Sequence, residues 1–120
     1  MLLIWTLIIF VLCATPGDYF PAATWMDLLS IDKLVHATIF FILAFLAFTW
    51  GIKRNKTKST LWLYLLCCVS YGVSLEIMQA TLFRNRSADL NDIIANTFGS
   101  LIALTLISRL RKFYHSSAST

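Results

Sequence analysis

Residues 71–99, YGVSLEIMQATLFRNRSADLNDIIANTFG, carry three of the chain's six carboxylates and two of its ten basic residues, with long apolar runs on either side. Gln79 and Asn96 add uncharged polar groups. Polar side chains embedded in so greasy a segment are expensive to keep, and their usual explanation is use. The stretch reads as the end of one hydrophobic helix, a polar turn at 84–87, and the start of another.

The rest of the composition says what surrounds it. Of the 120 residues, 58% are hydrophobic and 13% charged, whereas a soluble domain carries about 25% charged residues. The mean hydropathy is +0.74. A core of this size cannot hide that much apolar surface from water, so lipid must be the solvent for most of the chain. Cys13, Cys67 and Cys68 fall inside apolar runs without metal-ligand or disulfide spacing, and read as small buried hydrophobes.

Four helices are predicted, at about 2–15, 31–51, 60–83 and 88–108, in a single all-α, multi-pass membrane domain. The first run, LLIWTLIIFVLCA, covers about 20 Å of a hydrocarbon core of roughly 30 Å. It has no basic segment before it and no small-x-small cleavage site after it, which favours a short transmembrane helix over a signal peptide. Pro16, Gly17 and Pro21 then break the chain, and Tyr19, Phe20 and Trp25 give the connection an interfacial character. Ser30 is the expected N-cap of the second helix. The tail from residue 108 is basic, then Ser-rich, and is expected to fray.

Charge orients the bundle. With four helices, loop 53–59 and both termini share one side, which holds Lys53, Arg54, Lys56, Lys58, Arg109, Arg111 and Lys112, seven of the ten basic residues. That bias predicts cytoplasmic termini and explains the net charge of +4 without nucleic acid. The opposite, outward-facing end receives the polar residues of three helices. His36 lies about one turn into helix two, while Glu76 and Asn96 lie about 10 Å into helices three and four. Gly72, Glu76, Gln79 and Phe83 share one helical stripe, as do Asp92, Asn96, Gly99 and Ala103. Small residues at Gly72, Gly99 and Ala103 permit close helix approach in lipid. The expectation is a shallow polar pocket at the outer face.

The chemistry of that pocket has several readings. Asp89 and Asp92 suit a helix cap, the former more than the deeper Asp92. Lys33, Arg84 and Arg86, beside two helix N-termini, would suit an anion on a lipid-linked ligand. Glu76 and His36, with Asp32, are the candidates for acid–base chemistry; the alternative is a Glu76–Arg86 or Glu76–His36 tie that pins the bundle. Metal ligation by His36 is the lesser alternative, and no metal or cofactor is assigned. No nucleophile elbow, zinc-protease motif or phosphate loop is present.

Taken together, Asp32-Lys33-x-x-His36, then Glu76-x-x-Gln79, then Arg86-x-x-Asp89-x-x-Asp92-x-x-x-Asn96-x-x-Gly99 resemble the signature of the VanZ-like family of small bacterial membrane proteins. That family is named for a protein linked to low-level teicoplanin resistance. Thr15-Pro16 after the first apolar run also resembles its pattern. The resemblance covers about residues 1–104. It implies a multi-pass protein of the bacterial cytoplasmic membrane whose partners are lipids and a lipid-linked cell-wall precursor, with an influence on glycopeptide susceptibility, and it implies no settled reaction. The candidate ligand-binding set is Asp32, Lys33, His36, Glu76, Gln79, Arg86, Asp89, Asp92 and Asn96. The chain departs from the pattern in lacking a cytoplasmic lead and in placing Ala103 where a second Gly is common.

Overall fold

The computed structural model describes residues 1–16, 25–83 and 87–117, with side-chain surroundings at 1–16, 31–83 and 87–112. These residues form four helices: α1 (Leu2–Ala14), α2 (Trp25–Lys53), α3 (Lys58–Thr81) and α4 (Leu90–Ser117). Three segments, Ile31–Lys53, Lys58–Thr81 and Leu90–Lys112, are long and apolar enough to cross a membrane, and α1 is shorter. The protein is a multi-pass membrane protein. Gly17, Tyr19, Phe20, Pro21, Arg84 and Arg86 lie outside the described residues.

Two boundaries differ from the sequence expectation. Helix α2 begins at Trp25, so Ser30 is an interior residue and not its N-cap. Nothing in WMDLLS breaks a helix, and an acid at Asp27 suits a first turn. His36 consequently sits three turns into the helix. At the other end of the chain α4 continues to Ser117. RLRKFY contains good helix formers and no Gly or Pro, so the basic tail extends the helix where fraying was expected. The turn between α2 and α3 is closed by Asn55 in the left-handed region (φ 53°). Asn55 N–H donates to Ile52 O and Lys56 N–H to Gly51 O, a Schellman ending that satisfies carbonyls the helix leaves open. Thr57 then caps α3, its hydroxyl accepting from Thr60 N–H.

The most extensive interface is between α2 and α4, with α3 packed on both. It closes because α4 offers no side chain where the two backbones meet. A Cβ placed on Gly99 would lie 2.0 Å from the Ala37 carbonyl oxygen. Phe40, Phe48, Ala44, Leu75 and Ala103 fill the core. Ala103, the departure from the family pattern, is fully buried in that core.

Helix α1 is held by more than apolar packing. Trp5 Nε1–H donates to Ile39 O at 3.0 Å, Tyr71 Oη–H to Thr6 O at 2.8 Å, and Gln79 Nε2–H to Cys13 O at 3.3 Å. Each uses a carbonyl lone pair that helical bonding leaves free, which in lipid is a durable tether. Large apolar side chains such as Leu3, Leu34, Trp62, Ile77, Leu90 and Phe98 face outward, as lipid solvent requires. Cys67 is among the exposed residues, while Cys13 and Cys68 are buried. Successive helix residues lie about 100° apart, so neighbouring cysteines cannot share the core, and Cys67 corrects the expectation of three buried thiols.

Candidate functional site

At the end of the bundle where α3 stops and α4 starts, α2, α3 and α4 bring together most of the predicted polar residues. His36, Glu76, Gln79, Asp92 and Asn96 are all buried, and Asp32, Lys33 and Asp89 form a partly exposed rim. Gly72 makes room for this layer, since a Cβ there would lie 3.2 Å from Asn96 Nδ2. Among the described residues these side chains form a packed network, being short enough to reach one another across a tight α2–α4 contact. A cavity of about 390 Å³ lies at the opposite end, between α3 and α4, lined by Lys58, Trp62, Leu104, Arg109 and Lys112.

Helix α4 is started by two carboxylates. Asp89 Oδ1 accepts from Asn91 N–H at 2.8 Å, the N-cap role expected for it. In a capping box the acid three residues later would reach back to the N-cap N–H; here that is Asp92. Instead Glu76 of α3 accepts from Asp89 N–H, Oε2···N 3.0 Å. Glu76 thus completes the cap from a neighbouring helix, and Asp92 is left free to turn inward. Sequence reasoning missed this role, since no one-helix pattern encodes a cap supplied by another.

His36 is the centre of the network. Its Nδ1 meets Asn96 Oδ1 at 3.2 Å; an amide oxygen only accepts, so Nδ1 carries the hydrogen. Its Nε2 faces Asp32 Oδ1 at 3.7 Å and Asp92 Oδ2 at 3.8 Å. Lys33 Nζ lies 3.3 Å from Asp89 Oδ2 and 3.8 Å from Asp92 Oδ1. Lys33 is thus paired with carboxylates of the same chain; Arg84 and Arg86, expected beside it, lie outside the described residues. Glu76 and His36 make no hydrogen bond or ion pair with each other among the described residues. Gln79 uses one N–H of its amide on the Cys13 carbonyl. Ser100 hydrogen-bonds the Asn96 carbonyl, the backbone role expected of a helix serine.

The Asn91 N–H holds the Asp89 carboxylate below its ordinary range against the opposing effect of burial, with Lys33 lowering it further. A depressed carboxylate pKa gives a contribution that is complete above the unfolded value of about 3.9 and disappears as pH falls through the folded one. Asp89→Ala is accordingly expected to cost about 1 kcal/mol in neutral detergent solution, and less on acidification below roughly pH 4. Denaturation of both proteins across pH measures this; a difference that stays constant down to strong acid contradicts it.

A family model for VanZ/LLP1 matches residues 2–111, which include every residue of this cluster. The chain belongs to the VanZ/LLP1 family. A relative by sequence, the Schizosaccharomyces pombe protein described as uncharacterized protein C11E3.10, is 37% identical over 75 residues, covering 62% of this chain and 45% of the yeast one. The match thus spans less than half of that relative's length. A similarity to a fungal protein means that VanZ/LLP1 likeness by itself carries neither bacterial origin nor a glycopeptide association. No solved structure matches the chain.

Proposed function

We propose that this VanZ/LLP1 protein is a membrane binding module that holds the polar headgroup of a lipid-linked molecule at the Asp32–Lys33–Asp89 rim. The observation that supports it is the convergence of charged side chains from α2 and α4 on a rim backed by buried polar groups, at the end of the bundle remote from the basic side. The bias of basic residues toward loop 53–59 and residues 109–112 favours an outward orientation for the rim. The carboxylates suit a headgroup bearing amines or hydroxyls better than a bare phosphate, because Lys33 already faces two acids. A lipid-linked cell-envelope precursor has that chemistry, and sequestering it would alter glycopeptide susceptibility in a cell that makes it.

Native mass spectrometry of the detergent-purified protein tests the reading. The wild type is expected to retain a lipid that Lys33→Ala and Asp32→Asn release while remaining folded. Equal retention by all three proteins, or by none, removes the proposal. A second reading is that the polar layer only fixes the bundle, which the capping of α4 by Glu76 favours for that residue.

A further inference from the structure

We propose that Asp32, His36 and Asp92 bind a divalent transition-metal cation of the Zn²⁺ class, with Asn96 as the positioning residue behind the histidine. One donor atom from each of the three lies within 4.8 Å of the other two. The spacing suits a cation better than it suits direct contact. His36 Nε2 stands 3.7 Å from Asp32 Oδ1 and 3.8 Å from Asp92 Oδ2, beyond the 2.7–3.2 Å or so of a good hydrogen bond. Two donors on one tetrahedral Zn²⁺, with bonds of about 2.0–2.2 Å, sit about 3.4 Å apart. The two distances from His36 exceed that spacing by a few tenths of an ångström.

Two further observations point to a ligand. Asp92 is 6% exposed, yet its Oδ1 is buried and accepts no hydrogen bond. A buried carboxylate oxygen without a donor is costly. Lys33 Nζ faces Asp92 Oδ1 at 3.8 Å, too far for a hydrogen bond. The second is the orientation of His36: its Nδ1 meets Asn96 Oδ1 and its Nε2 faces the two aspartates, the arrangement by which a carbonyl oxygen orients a metal-ligating histidine.

Lys33 hydrogen-bonds Asp89 and makes only a longer approach, 3.8 Å, to Asp92 Oδ1, on the side of that carboxylate away from His36 Nε2, which faces Oδ2. Asp32 and His36 are one turn apart on α2 and present donors on one face, and α4 supplies the third from across the closest helix contact. The Asp32 side chain is 46% exposed, which provides a route in from water. One imidazole with two carboxylates selects Zn²⁺ or Mn²⁺ over Mg²⁺ or Ca²⁺. Three protein ligands also leave a coordination position for water or a substrate atom. This inference goes beyond headgroup binding and needs no lipid.

The test is titration of the full chain, stripped with chelator in detergent, with Zn²⁺ alone against a chromophoric competitor, and with Co²⁺ as a spectroscopic probe. The wild type is expected to take up one equivalent and to give Co²⁺ an intense low-symmetry absorption. Asp32→Asn and Asp92→Asn should weaken binding more than about 100-fold, and Asn96→Ala by about 10–100-fold. Asp89→Asn, which removes an equal charge next to the site but no ligand, should change it only a few-fold. Asp32 is half in water, so its variant keeps the fold even where Asp92→Asn does not. No stoichiometric uptake by the wild type, or equal weakening by Asp89→Asn and Asp32→Asn, overturns the site and leaves a hydrogen-bonded triad.

Discussion

Gly99→Ala should destabilise the bundle by about 3 kcal/mol or more, the upper end of what an extra methyl group costs in a packed core. The reason is the identity of the atoms it meets. A Cβ at this position would lie 2.0 Å from the Ala37 carbonyl oxygen, 2.8 Å from its carbonyl carbon and 3.0 Å from its Cα. All three are backbone, so no side-chain rotation relieves the clash and α2 must move away from α4. Gly72 provides the comparison: a methyl there meets the Phe40 ring at 3.1 Å and Asn96 Nδ2 at 3.2 Å. Those are side chains that can shift, and Gly72→Ala should cost about 1 kcal/mol. Because the obstacle at Gly99 is a carbonyl, Ala37→Gly should not rescue Gly99→Ala. Unfolding in mixed micelles measures all of these. Equal losses at the two glycines, or rescue by Ala37→Gly, would show that the α2–α4 contact is softer than the geometry requires.

The contact has a local consequence too. Ala37 adjoins His36, and Gly99 is one turn from Asn96, so the closest approach of the helices is also what sets the His36–Asn96 distance of 3.2 Å. Widening it should loosen the polar layer along with the core.

Glu76→Ala should cost about 3 kcal/mol, and Glu76→Gln no more than about 1. The alanine removes the acceptor of Asp89 N–H and leaves that donor in a part-buried setting, a penalty of about 1–3 kcal/mol, with a void from the lost, buried side chain added. Glutamine keeps an oxygen at the same reach and gives up only the favourable placement of negative charge at the start of α4, worth about 0.3–1 kcal/mol. The same pair separates structure from chemistry. If Glu76 serves as a cap, function should follow stability, with glutamine near wild type. If it transfers protons, Glu76→Gln should lose activity while remaining folded. Thermal denaturation beside a lipid-retention or susceptibility assay gives both readings. Loss of function in a stable glutamine variant would falsify the capping role as the whole account.

Much of the layout was legible before any coordinates. Helix number and the membrane as solvent follow from the length and hydropathy of the runs, which are properties of each segment alone. The stripes Gly72–Glu76–Gln79 and Asp92–Asn96–Gly99 follow from 3.6-residue periodicity and are the buried faces observed. The N-cap role of Asp89 follows from a short polar side chain beside a free helix terminus. Boundaries were less legible: Ser30 looked like a cap because cap residues are frequent at helix starts, yet it also tolerates a helix interior.

What only the tertiary structure decided concerns pairs of helices. A sequence shows which face of a helix is polar, but the rotation and depth at which that face meets its neighbour are set by backbone contacts such as Gly99 against Ala37. Lys33 turned to the acids of α4, Glu76 to the first N–H of α4, and Gln79 to the last turn of α1, each satisfying a group 13 or more residues away. In lipid no water offers an alternative partner, so such ties form wherever the packing allows. The opening stretch, residues 71–99, therefore contained half of the polar layer and most of its residue types. His36 and Asp32, brought by α2 to within 4 Å of Asp92 or of each other, turned it into a site.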